Sequence, residues 1–121
     1  WVPAQGEYGS DPERRISVIY DNRSRIATRI KQLHTGKRFA QTPPSNLRRL
    51  ISNIEILGEQ GGDVLAAGNM IVVESRERGL TLWAGRCEYR LRPTEQGLRM
   101  AAKTVRLVDN DRPLHTLGFL I

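Results

Sequence analysis

From Leu50 onward the chain alternates between apolar and polar positions with a period of two. Leu50, Ser52, Ile54 and Ile56 fall on one side of an extended segment, and Arg49, Asn53 and Glu55 fall on the other. That is the signature of a strand with one face on a core. A turn over 58–63, with Gly61-Gly62, ends it. The next run, Val64 to Ser75, is apolar at both parities: Val64, Ala66, Met70 and Val72 on one face, Leu65, Ala67, Ile71 and Val73 on the other. A strand of this kind is expected to be covered on both sides. After a turn at 76–79, Leu80 to Arg92 alternates again, with Trp83, Cys87, Tyr89 and Leu91 opposite Arg86, Glu88, Arg90 and Arg92. Pro93 to Gly97 turns the chain, Leu98 to Val108 supplies a fourth strand, Asp109 to Pro113 breaks it, and Leu117 to Ile121 is expected to form a short last strand.

Upstream the period changes. Ile26, Ile30 and Leu33 recur at four and three, on one face of a helix predicted over 21–34, while Arg23, Arg25, Arg29 and Lys31 lie elsewhere. Asp21 is the expected N-cap and Gly36 the expected left-handed closure. Ile16, Val18 and Tyr20 suit a short strand leading into this helix, and Pro43-Pro44 makes 42–45 an extended connector. Trp1-Val2 reads as the end of a strand set before a loop rich in Gly, Pro and Asp. One helix is too little to cover a long, twisted four-stranded sheet. The expectation is an α+β fold in a single domain over 1–121, a curled, mostly antiparallel sheet packed on helices, with helices missing before Trp1.

Composition narrows the function. With 121 residues, 39% hydrophobic and 26% charged, the chain is long and apolar enough to bury one core. Nineteen Lys and Arg against 13 Asp and Glu give a net charge of +6. The basic residues are scattered among acids and are not interleaved with aromatic residues, so a protein partner is expected rather than a nucleic acid. No apolar run approaches a bilayer-spanning length, and the first residues lack a signal peptide's basic and apolar regions. With the single cysteine, Cys87, this points to the cytoplasm and to no membrane. Asn22-Arg23-Ser24 matches a glycosylation sequon, which matters only in secreted proteins.

Ligand supply limits redox chemistry. A Rieske cluster takes two Cys and two His, whereas this chain offers Cys87, His34 and His115. A two-His, one-carboxylate iron site would need His34 and His115 brought to Asp109 or Asp111, and no regular spacing relates them. Cys87 is expected to point inward as a small core residue. Residues 58–63 lack the spacing of a nucleotide-binding loop and join two strands, as a hairpin does. An enzymatic alternative remains: a free-standing cone of curled sheet and helices holding a small apolar ligand, in the manner of dehydratases and isomerases, with Tyr20, Asp21, Asn53 and Asp63 as candidate acid–base groups.

The string ISVIYDNRSRIATRIKQLHTGKRFAQTPPSNLRRLISNIEI resembles the central signature of aromatic-ring-hydroxylating dioxygenase β subunits, a segment of the type IYDDR, helix, TGR, A, PPS, RRLVSN. The ending LWAGRCEYRLRPTEQGLRMAAKTVRLVDNDRPLHTLGFLI is similar to that family's ending, and the opening WVP resembles the first strand reached after two N-terminal helices. The resemblance implies a cystatin-like cone, shared with nuclear transport factors, and a place in a hexamer of three α and three β subunits. It also implies that a Rieske [2Fe-2S] cluster and mononuclear Fe(II) sit in the α subunit, fed from NADH through a reductase, and that aromatic rings are converted to cis-dihydrodiols. On this reading the chain itself holds no catalytic, cofactor-binding or metal-binding residue. Its candidate subunit interface is Trp83, Arg86, Arg90, Asp109, Asp111 and Arg112, because Arg is enriched at interfaces and pairs bidentately with carboxylates.

Overall fold

A computed structural model describes residues 1–4 and 11–121. The loop expected around residues 5–10 lies outside the described residues. In chain order the elements are β1 (Val2–Pro3), β2 (Ser17–Ile19), α1 (Arg23–His34), β3 (Asn46–Gln60), β4 (Asp63–Arg76), β5 (Gly79–Thr94) and β6 (Gly97–Leu107), with single 3-10 turns at Pro12–Arg14 and Phe39–Gln41. β3 to β6 form one antiparallel sheet in chain order, and β1 pairs with β2. At 15, 14, 16 and 11 residues, the four main strands exceed the usual strand of about 5 or 6. Gly61 and Gly62, with φ of 58° and 81°, make the two-residue turn between β3 and β4. Two consecutive positive φ angles match the right-handed twist of the flanking strands, and glycine adopts them without a Cβ penalty. Trp1 links the two sheets: its backbone N–H donates to Lys103 O, and its carbonyl accepts from Val105 N at 2.8 Å. This is the pattern of a parallel pairing against β6.

The core lies on one face of the four-stranded sheet, here the inner face. Register sets Val72 beside Trp83 and Cys87 beside Val105, and places Gly85 between Met70 and Leu107. Val2 from β1 and Leu117 and Phe119 from the C-terminal segment close over them. Cys87 is buried as expected, with its Sγ 3.7 Å from Met70 Sδ. Trp83 and Phe119 meet edge to face at 5.8 Å.

Several expectations need correction. Asn22, not Asp21, caps α1, its Oδ1 accepting from Arg25 N at 3.0 Å, while Asp21 is drawn into an ion pair with Arg29. Gly36 does take the left-handed conformation, with φ of 65°. α1 buries none of its residues, so the inner face is covered mainly by β1 and the C-terminal segment rather than by this helix. The last segment is not a strand. Leu117, Gly118 and Phe119 are buried in succession, and a Cβ on Gly118 would sit 2.8 Å from Gln41 Nε2 and 2.9 Å from Ala40 O. Gly118 thus packs against the 39–41 turn too closely for any side chain at that position.

β3 departs from simple alternation. It carries an extra residue opposite β4 twice, between Ser52 and Glu55 and between Ile56 and Gly58, and Asn53 at the first bulge has φ of 50°. A bulge reverses which face the following residues occupy. Ile54 therefore joins Ile51 beside Gly68 on the inner side, and no longer shares a face with Leu50 and Ser52. Being at the sheet edge, β3 leaves Leu50, Ile51, Ile54, Ile56 and Leu57 exposed, contrary to the expected core contact.

Candidate interaction surface

The opposite, outer face of the sheet divides into two halves. At one end the register lines up Arg48, Val73 and Leu82 in one row, Leu50, Ile71 and Ala84 in the next, and sets Leu80 beside Ser75. Ile71 is 44% exposed, Leu50 57%, Leu82 65% and Leu80 73%. The expectation that β4 is covered on both sides thus holds only in part within the described residues of this single chain: its even-numbered face meets the core, while on its odd-numbered face Asp63 and Ala67 are buried and Asn69 and Ile71 are exposed.

The other half is ionic. Arg86 donates to Glu55 Oε2 at 2.5 Å across two strands, and Arg106 lies 3.8 Å from Glu88. Arg92 bonds both oxygens of the Asp63 carboxylate, at 2.8 and 3.0 Å, and Arg90 reaches the same group at 3.0 Å. The fork geometry of guanidinium suits such bidentate pairing. The hydrogen bond from Arg92, above all, holds the Asp63 carboxyl below the usual carboxylate value.

Of the six interface candidates, Arg86 and Arg90 belong to this ionic half. Asp109, Asp111 and Arg112 are exposed on the turn after β6, with Arg112 3.9 Å from Asp109 and 4.0 Å from Asp111, while Asn110 between them is buried. Trp83 must be set apart. It is 4% exposed and lies on the inner face, because its odd-numbered position shares the parity of Cys87. It reaches only the wall of a groove of about 310 Å³ shared with Leu82, Asp109, Arg112 and His115.

One buried group escaped the sequence reading. Glu74 is fully buried on the inner face; its Oε1 accepts from Ser45 Oγ at 2.5 Å and its Oε2 from Trp83 Nε1 at 3.0 Å. Gln41 in turn bonds Ser45, so this carboxylate fastens the 41–45 connector to the sheet. The available signal was an acid at inward parity in an otherwise apolar strand.

The candidates for a pocket enzyme are not assembled. Tyr20 donates to Glu13 Oε1, Asp21 is paired with Arg29, Asp63 with Arg92 and Arg90, and Asn53 occupies the β3 bulge. A groove of about 520 Å³ runs between β1, the start of α1 and β6, and among its described lining residues the one lysine is Lys103, whose ammonium is shifted below its ordinary value by burial. Among the described residues no three His, Cys, Asp or Glu side chains are placed to share a metal ion. No helix among them is long and apolar enough to cross a membrane.

Residues 1–112 match the family model described as "Ring hydroxylating beta subunit". The chain belongs to this family. It is 30% identical to the anthranilate 1,2-dioxygenase small subunit of Acinetobacter baylyi, over 77% of this chain and 58% of that one. It is 32% identical to the biphenyl 2,3-dioxygenase subunit beta of Rhodococcus jostii, over 79% of this chain and 53% of that one. The chain thus spans a little over half the length of these two curated relatives. Among solved structures, it is similar to the beta subunit of benzoate 1,2-dioxygenase from Burkholderia mallei, with a TM-score of 0.65 at 20% identity over 88% of this chain and 68% of that one. A naphthalene 1,2-dioxygenase structure with indole bound gives a TM-score of 0.76 at 13% identity, over 99% of this chain and 67% of that one. At these identities the likeness concerns the fold, which these ring-hydroxylating dioxygenase chains share with this β subunit family member.

Proposed function

We propose that this chain is the structural, assembly-supporting β subunit of a Rieske non-haem iron dioxygenase that converts aromatic compounds to cis-dihydrodiols in the cytoplasm, with catalysis in an α subunit. The observation that carries this reading is the family match over residues 1–112. On this reading residues 1–121 form one domain of the cystatin-like cone type, and the assembly is a hexamer of three α and three β subunits. One cysteine and two histidines do not match the two Cys and two His of a Rieske cluster. What the family resemblance implies, and this shortage agrees with, is that the cluster and the mononuclear iron lie in the α subunit, which receives electrons from NADH through a reductase. What this chain supplies is surface: an inner face that builds a core and an outer face left for a neighbour.

The test is co-expression with the α subunit of the same dioxygenase. A soluble complex containing iron and the absorption of a [2Fe-2S] cluster is expected. A chain that stays monomeric beside a folded α subunit, or that alone turns over a small apolar substrate, replaces this reading with a free-standing cone-fold enzyme.

A further inference from the structure

The outer face of the β3–β6 sheet combines an apolar end with an arginine-rich end, and we propose that it is the surface by which this chain docks on the α subunit, through an apolar patch of that subunit rimmed by carboxylates. The inference rests on the β-subunit reading above and specifies which surface does the binding. Leu50, Ile71, Leu80 and Leu82 are contiguous by register and exposed, with Val73 half-buried between them. Isolated exposed apolar side chains are ordinary on a protein surface, whereas a contiguous patch of this kind marks an interaction site.

Charge decides what kind of neighbour fits. On this face Arg48, Arg86, Arg90, Arg92, Arg99 and Arg106 stand against Glu55, Asp63 and Glu88. Asp63 is shared between Arg90 and Arg92; Arg48 bonds only the carbonyl of neighbouring Leu47, and Arg99 the side-chain amide of Gln96. The face therefore keeps guanidinium groups without a carboxylate of their own. Two copies placed outer face to outer face would oppose these excess cations, on chains that each carry a net charge of +6. A different protein presenting carboxylates around an apolar centre satisfies both halves at once.

The experiment measures affinity of the full chain for the α subunit, for wild type and for the variants Leu82→Asp and Arg48→Glu. Both sites are exposed, so each variant is expected to keep the wild-type circular dichroism and melting temperature. Each is expected to weaken binding by at least about tenfold. Wild-type affinity is also expected to fall as salt is raised from about 0.1 to 0.5 M, as screening removes the rim's attraction. If wild type binds and both folded variants bind equally well, the docking face is elsewhere and the β-subunit reading stands. If wild type does not bind a folded α subunit, both fall together. If the variants instead break a wild-type homo-oligomer while α binding is intact, the face belongs to a second copy and the proposal is overturned.

Discussion

Glu74 and Asp63 are both withdrawn from water, and their partners differ in kind. Glu74 sits on the face of Val72 and Met70 and, among the described residues, accepts from two neutral donors, Ser45 Oγ and the Trp83 indole. Replacing it by Ala leaves the buried Trp83 indole and the half-buried Ser45 hydroxyl without this acceptor and opens a cavity, at a combined cost of about 2–4 kcal/mol. Urea denaturation of Glu74→Ala against wild type checks the cost, and a red shift of Trp83 emission is expected in the folded state. Asp63 is held by guanidinium groups, and its carboxyl lies below its ordinary value of 3.8. Because the folded value is the lower one, its stabilisation is complete above about pH 4 and is lost as pH falls through the folded value. Asp63→Asn is thus expected to be less stable than wild type at pH 7, with the gap narrowing toward pH 2. Unfolding curves at both pH values measure it, and a gap that widens in acid contradicts the assignment.

At the scale of elements, the strands of the main sheet were legible because their alternation persists for many residues, and the inward parity of Cys87 and Trp83 followed from the same count. Where a local backbone feature intervenes, pattern alone misleads. The bulge at Asn53 inserts a residue that a period of two cannot register, and so the faces of Ile54 and Ile56 were misassigned. The cap of α1 moved by one residue because Asp21 and Asn22 are both competent acceptors, and Arg29 claims Asp21. Of the candidate surface, Arg86 and Arg90 followed from outward parity, whereas Glu55 as partner of Arg86 comes from a contact 31 positions apart that no sequence pattern encodes. Glycine placement also carries information at this scale. A Cβ at Gly85 would lie 2.5 Å from Arg106 O and 3.2 Å from Leu107 Cα, so both β5 and β6 backbones would have to yield. Gly85→Ala is expected to destabilise by about 1–3 kcal/mol, read as a lower denaturation midpoint, with faster amide exchange at Leu107.

For the molecule as a whole, the sheet has one face that builds a core and another that combines apolar and ionic rows, so under the proposed docking, folding and association would draw on different side chains. Trp1 ties β1 to one side of the sheet through β6, while β3 carries backbone donors and acceptors along the other side. A long strand of that kind, with Ile54, Ile56 and Leu57 in water, is a template onto which a stray chain could add. The two bulges break the spacing of its hydrogen-bonding groups and bend it, and an incoming strand with regular spacing can match only short stretches at a time. Deleting Asn53 is expected to straighten this rim and to promote fibrillar aggregation, followed as light scattering and thioflavin fluorescence at concentrations where wild type stays clear. On this argument an irregularity that spoils the periodicity of the sequence is expected to guard the exposed rim against unwanted strand addition.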